Sequence, residues 1–164
     1  MKKTMTIESR KTNRLKEWDY SSPGIYFITI CTQNRANYFG HIVGGGDFDA
    51  PQIILSPWGE IAQKHLLSQN NSGVVLDKFV IMPNHIHLLI KIEDGTSPAP
   101  SPTNAIIPST ISLFKRKVNH EIGRNIFQRS FHDHIIRNEH DYKEIWEYID
   151  SNPARWASDD LYIE

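Results

Sequence analysis

Residues 79–92 read FVIMPNHIHLLIKI. Pro83-Asn84 splits this stretch into two runs of β-branched and apolar residues, and a turn dipeptide between such runs predicts an antiparallel pair of strands. The spacing predicts one strand over Val74 to Met82 and the next over His85 to Ile92. Side chains alternate between the two faces of a strand, so His85 and His87 point one way while Ile86 and Leu88 point the other. Two imidazoles ~7 Å apart along one strand can converge on a metal ion. The same spacing also suits ordinary core or surface histidines. What favours ligands is the apolar setting, because two polar rings in a central strand are costly unless something satisfies them.

Upstream, GIYFITICTQ (Gly24 to Gln33) has strand composition and follows the turn-like Ser21-Ser22-Pro23. Asn37 to Leu55 carries Gly44-Gly45-Gly46 and predicts a hairpin or loop, with Gln52 to Leu55 as a short strand. Ser56 as N-cap and Pro57 at the first helical position predict a helix to about Gln69. Downstream, the stretch from about 94 to 108 is rich in Ser, Pro and Thr and predicts a flexible linker. From Ser109 as N-cap to Ile122, closed by Gly123, a basic amphipathic helix follows, with Ile111, Phe114, Val118 and Ile122 on one side. Phe127 to Ile136 reads as irregular or a short strand. Asn138 can cap a last helix from Glu139 to about Ser151, which Pro153 stops. Strand, helix, strand, strand, helix and final helix make an α+β chain, an antiparallel sheet with helices packed on one face, in a single domain over 1–164.

Composition agrees with a globular domain. The chain has 164 residues, 39% of them apolar, with seven Phe, six Tyr and four Trp. No run approaches a membrane span and the N-terminus lacks the apolar stretch of a signal peptide, so the expectation is a cytoplasmic protein with no membrane partner. The single cysteine, Cys31, forms no internal disulfide and reads as a small core residue. Eighteen Lys plus Arg against nineteen Asp plus Glu give no net basic charge, but the charges are segregated. Lys2, Lys3, Arg10, Lys11, Arg14 and Lys16 crowd one end, Lys115, Arg116, Lys117, Arg124 and Arg129 crowd a second stretch, and acids collect from Glu139 onward. Such segregation suits a basic face for a phosphate backbone, and equally suits two solvated stretches.

Tyr148 and Asn152 lie four apart on the last predicted helix, hence on one face. They can present a nucleophile and an oxygen donor together. Tyr148 also fits as an ordinary amphipathic-helix aromatic beside Ile145 and Trp146. His132 and His134, in FHDHIIR, form a second alternating pair that competes with the first; with Asp133 and Arg137 they read as a polar patch along a substrate groove.

Three stretches, RLKEWDYSSPGIYFITICTQNR, FVIMPNHIHLLIKI and FQRSFHDHIIRNEHDYKEIWEYIDSNPARW, together resemble the REP-associated tyrosine transposases, relatives of the single-tyrosine transposases of the smallest bacterial insertion sequences. They cover about half of the chain in the family's order, and MPNHIH is the most specific element. The resemblance implies a ferredoxin-like α+β fold with an HUH motif, two histidines around a bulky apolar residue, at His85-Ile86-His87. It also implies Tyr148 as nucleophile and Asn152 as third metal ligand, with Tyr142 the alternative nucleophile. The metal implied is Mg²⁺ or Mn²⁺, and imidazole ligation favours Mn²⁺.

The activity implied is a metal-dependent endonuclease and strand transferase acting on single-stranded, hairpin-flanked DNA through a 5′-phosphotyrosine. Lys115, Arg116, Lys117, Arg124, Arg129, His134, Arg137 and Arg14 are the residues expected to hold the DNA. The protein works as a monomer or a homodimer in this reading. Three alternatives stand beside it: a replication or conjugation nickase on the same fold, an inactive hairpin-binding protein with structural histidines, and an unrelated hydrolase built on His132, Asp133 and His134.

Overall fold

A computed structural model describes residues 19–69, 73–95 and 105–163. Arg14 and the rest of the N-terminal basic stretch, and residues 96–104 of the expected linker, lie outside the described residues. The elements run β1 (Gly24–Cys31), β2 (Gly40–Val43), β3 (Gln52–Leu55), α1 (Pro57–Leu67), β4 (Val74–Met82), β5 (His85–Ile92), α2 (Ile106–Ile122), β6 (His132–Ile136) and α3 (Glu139–Ser151). A 3-10 turn over Pro153–Ser158 follows α3. No helix among the described residues is long and apolar enough to cross a membrane.

β4, β5, β1 and β6 form one sheet in that order, with every neighbouring pair antiparallel. Leaving aside the separate β2–β3 ribbon, the order is β-α-β-β-α-β, the ferredoxin-like arrangement expected. The turn chemistry explains the local boundaries. The Ser56 hydroxyl accepts from the Gly59 N–H and the Asn138 side chain from the Asp141 N–H, so each satisfies a donor the helix itself leaves unpaired. Gly123 takes the left-handed conformation (φ 82°) that ends α2.

Two expectations need correction. α2 begins at Ile106 behind Ala105, not at a Ser109 cap. Ile106 and Ile107 are both buried, and continuing the helix backwards carries them into the core; Pro108 is tolerated because a first-turn N–H has no helical partner to lose. The second correction concerns layering. α1 and α2 pack on the face formed by Tyr26, Ile28, Ile30, Ile86, Leu88 and Ile90, as expected of helices sharing one face. α3 lies across the opposite face, where its Tyr148 meets Phe27 and His87. Strand alternation is the cause: the residues between those core positions form a second set of side chains that needs its own cover.

Candidate metal and tyrosine centre

β5 has strands on both sides, so His85 and His87 stand in mid-sheet, and both are buried. In the register across the sheet, His87 lies between Val80 of β4 and Thr29 of β1, and His85 between Met82 and Cys31. The two Nε2 atoms are 3.1 Å apart. Behind them, His85 Nδ1 meets Asn84 Oδ1 at 2.8 Å, and His87 Nδ1 meets the Thr29 hydroxyl at 2.8 Å. Both rings are thus held from their outer nitrogens, with the inner nitrogens turned toward one point, as metal-binding histidines commonly are.

α3 delivers the tyrosine. The Tyr148 hydroxyl lies 3.4 Å from His87 Nε2, and its ring packs edge-on to Phe27. Asn152 stands at the C-terminal end of α3, fully buried. Its Nδ2 donates to Asp159 Oδ2 at 3.3 Å, while its Oδ1 is buried without a hydrogen-bond partner. The 3-10 turn after Pro153 brings the chain back so that Asp159 joins the centre. Ligand atoms of His85, His87 and Asp159 lie within 4.8 Å of one another, the one such group of three among the described residues. The Leu161 N–H donates to the Asp159 carboxylate at 2.7 Å and holds it there.

Two imidazole nitrogens, a carboxylate and an orphaned buried amide oxygen are a mixed nitrogen and oxygen donor set that fits a divalent cation such as Mn²⁺ or Mg²⁺. The orphaned oxygen argues most directly, because a buried acceptor without a donor is destabilising unless a ligand meets it.

Electrostatics fit the same reading. Burial lowers the pKa of His85 to about 4, against a smaller raising effect of Asp159. Burial and then the neighbouring His85 lower that of His87, so both rings stay neutral and keep lone pairs for a cation. Burial first, then Asp159, raises the Tyr148 phenol, and the Asn152 amide opposes that rise. A testable consequence concerns stability without metal. Because the folded pKa values lie below the ordinary histidine value, the unfolded chain takes up protons first as pH falls. Stability from neutral His85 is therefore complete above about pH 6.5 and is lost toward pH 4, by on the order of 3 kcal/mol. Thermal melts in chelator across that range should show the fall, and a flat profile would refute it.

The other expected site residues separate. His132 and His134 are exposed, and His134 Nε2 lies 2.9 Å from the Asp141 carboxylate, which itself accepts from the Arg137 N–H. That pair secures the start of α3. The Lys115 ammonium donates to the carbonyls of Gln128 and Ser130, and Arg124 donates to the Tyr38 hydroxyl while lying over the Tyr38 and Trp58 rings. Arg116, Arg124 and Arg129 border an open groove beside Phe127 and Gln128, and Lys117 stands on the adjoining side of α2 beside His120 and Glu121. A second opening shares Phe127, Gln128 and Arg129 with this groove and is lined also by Arg35, whose carbonyl accepts from Asn84. Tyr142 donates to Asp77 at 2.6 Å, which pushes its pKa up to about 12 and turns its hydroxyl away from the histidines. Asp159, Thr29, Asn84 and Arg35 were not foreseen. For Asp159 the one available signal was the acidic run after Glu139.

A ferredoxin-like sheet with a buried His-Ile-His pair under a helical tyrosine defines a recognisable class of small α+β domain. The chain is 34% identical over 178 residues to an uncharacterized protein of Haemophilus influenzae, covering 96% of each. It is 23% identical over 137 residues to the REP-associated tyrosine transposase of Escherichia coli, covering 83% of this chain and 70% of that one. Its fold matches the structure of a REP-associated tyrosine transposase bound to a REP hairpin with a TM-score of 0.61 at 19% identity, over 92% and 89% of the two chains. No family model matches the chain. The chain is thus similar in sequence to a REP-associated tyrosine transposase and shares the fold of one.

Proposed function

We propose that this protein is a metal-dependent single-stranded DNA endonuclease and strand transferase of the HUH class, acting on hairpin-flanked DNA with Tyr148 as nucleophile. The observation that carries the reading is the Tyr148 hydroxyl 3.4 Å from His87 Nε2, above two convergent histidines and the unpartnered oxygen of Asn152. His85, His87 and Asn152 would hold a divalent cation, Mn²⁺ or Mg²⁺, with Asp159 the nearby carboxylate. Such a cation, when bound, polarises the scissile phosphate and offsets the charge that develops as it is attacked.

The chain's own residues account for the remaining steps. Tyr148 Oη forms a bond to phosphorus as the bond from phosphorus to the 3′ oxygen breaks; the phenol loses its proton and the leaving oxygen gains one. The products are a 5′-phosphotyrosine and a free 3′-OH, and a second 3′-OH can reverse the step and rejoin strands without ATP, since one ester replaces another. Phe27 against the tyrosine ring limits its swing, which keeps the hydroxyl aimed at the histidines. DNA binding draws support from the two openings bordered by Arg116, Arg124, Arg129 and Arg35, and from the hairpin-bound state of the structural neighbour. Lys117, His134, Arg137 and Arg14 remain proposed contacts, Lys115 the least suited because its ammonium is already bonded.

The test is incubation with labelled single-stranded hairpin DNA from the gene's own neighbourhood and Mn²⁺. A denaturation-resistant protein-DNA adduct that chelator prevents is the expected result. Its absence on every hairpin, with binding retained, would favour an inactive hairpin-binding protein. Asp159→Asn should weaken Mn²⁺ binding about tenfold, read by calorimetry, because it removes the one anionic group of the donor set while keeping the acceptor for Leu161 N–H.

A further inference from the structure

Asn84 is almost wholly buried in the turn between β4 and β5, and its side chain is fixed on both ends. Its Nδ2 donates to two backbone carbonyls, Arg35 at 3.1 Å and Leu161 at 2.7 Å. Reversing the amide would set its oxygen against both of those acceptors, so its orientation is settled. Oδ1 therefore faces His85 Nδ1 at 2.8 Å, and an amide oxygen can only accept. His85 Nδ1 must be the protonated nitrogen of a neutral ring, and Nε2 must carry the lone pair that faces His87.

His87 is held differently. Its Nδ1 partner is the Thr29 hydroxyl, which can donate or accept. In the metal-free protein His87 Nε2–H can donate to His85 Nε2 across 3.1 Å while Thr29 donates to His87 Nδ1; with a cation present the same hydroxyl can accept instead. One ring of the pair is locked and the other is free to change tautomer.

We propose that Asn84 is a positioning residue that locks His85 in its Nδ1–H tautomer, so that one metal-facing lone pair is in place before any cation arrives. This deepens the proposed function and rests on it for the role of the metal, but the tautomer can be measured without metal. The backbone carbonyl of Asn84 accepts from the N–H and the hydroxyl of Thr32, which holds the turn against β1 independently of the side chain.

Long-range ¹H–¹⁵N spectra of the metal-free protein, with His85 assigned by its Gln variant, should show His85 Nδ1 protonated and Nε2 bare. Finding His85 as the Nε2–H tautomer would overturn the proposal, whatever the protein does with metal or DNA. Two substitutions supply the second readout. Asn84→Asp keeps an acceptor for His85 Nδ1–H and loses both bonds to the carbonyls; Asn84→Ala loses all three. If Asn84 acts through His85, Asn84→Ala lowers Mn²⁺ affinity about 10- to 100-fold and mixes the His85 tautomers, while Asn84→Asp stays within a few-fold of wild type, even if it melts lower. Equal losses of affinity in the two variants, both following the melting temperature, would reduce Asn84 to a purely structural residue and overturn the proposal. Wild type that binds no Mn²⁺ but shows the locked tautomer would refute the metal reading and leave the lock standing.

Discussion

Tyr148→Phe is expected to remove the covalent protein-DNA adduct altogether, a loss of more than about a thousandfold in cleavage, while hairpin binding stays near wild type. The substitution takes away one oxygen. The Tyr148 ring is half-buried against Phe27 and His87, and it keeps those ring contacts when its hydroxyl, 3.4 Å from His87 Nε2 and acted on by Asn152 and Asp159, is removed, so the fold should hardly register the change. Tyr142→Phe is the informative partner. That hydroxyl donates to Asp77 and ties α3 to β4, so its loss should cost about 1 kcal/mol of stability and leave the adduct intact. The two variants should therefore separate cleanly by denaturing gel and thermal melt. An adduct that survives in Tyr148→Phe would move the nucleophile elsewhere, and one that vanishes only in Tyr142→Phe would identify it.

How much of this centre was legible in the sequence depends on the range of the interaction involved. Strand alternation puts His85 and His87 on one side, and helical spacing puts Tyr148 and Asn152 on one face; both rules act within a few residues, and both are met. Ser56 and Asn138 as caps belong to the same short-range class. Groups that meet through the tertiary fold were invisible. The Thr29 hydroxyl reaches His87 across 58 positions, and Asp159 arrives because a 3-10 turn after Pro153 reverses the chain, where the proline read only as a stop. Pro108 misled in the opposite direction, since a proline in the first turn of a helix looks like the edge of a linker. Charge was legible but its use was not: Lys115 counts as a cation in the sequence, yet its ammonium is bonded to two carbonyls. The layering failed for a related reason, because a sheet whose second face carries histidines and Phe27 still needs cover, and only the fold shows that α3 supplies it.

The larger effect on metal chemistry is expected from His87→Ala, set against His134→Ala. His87 contributes an inner nitrogen 3.1 Å from that of His85 and stands 3.4 Å from the Tyr148 hydroxyl, so removing its ring takes away a proposed ligand and a neighbour of the proposed nucleophile together. Mn²⁺ affinity should fall by at least about a hundredfold and the adduct should disappear. His134 is exposed and bonded to Asp141 at the start of α3, on a different strand from the pair. His134→Ala should keep Mn²⁺ binding within a few-fold and retain a measurable adduct, with any loss traced to the anchoring of α3 or to weaker DNA contact. Calorimetry with Mn²⁺ and the adduct assay, run on both variants after melts confirm folding, decide the matter. The reverse pattern, metal lost in His134→Ala and kept in His87→Ala, would transfer the chemistry to the FHDH segment and make the protein a hydrolase of another kind; loss in neither would leave His85 and His87 as structural histidines and the protein as a hairpin binder without catalysis.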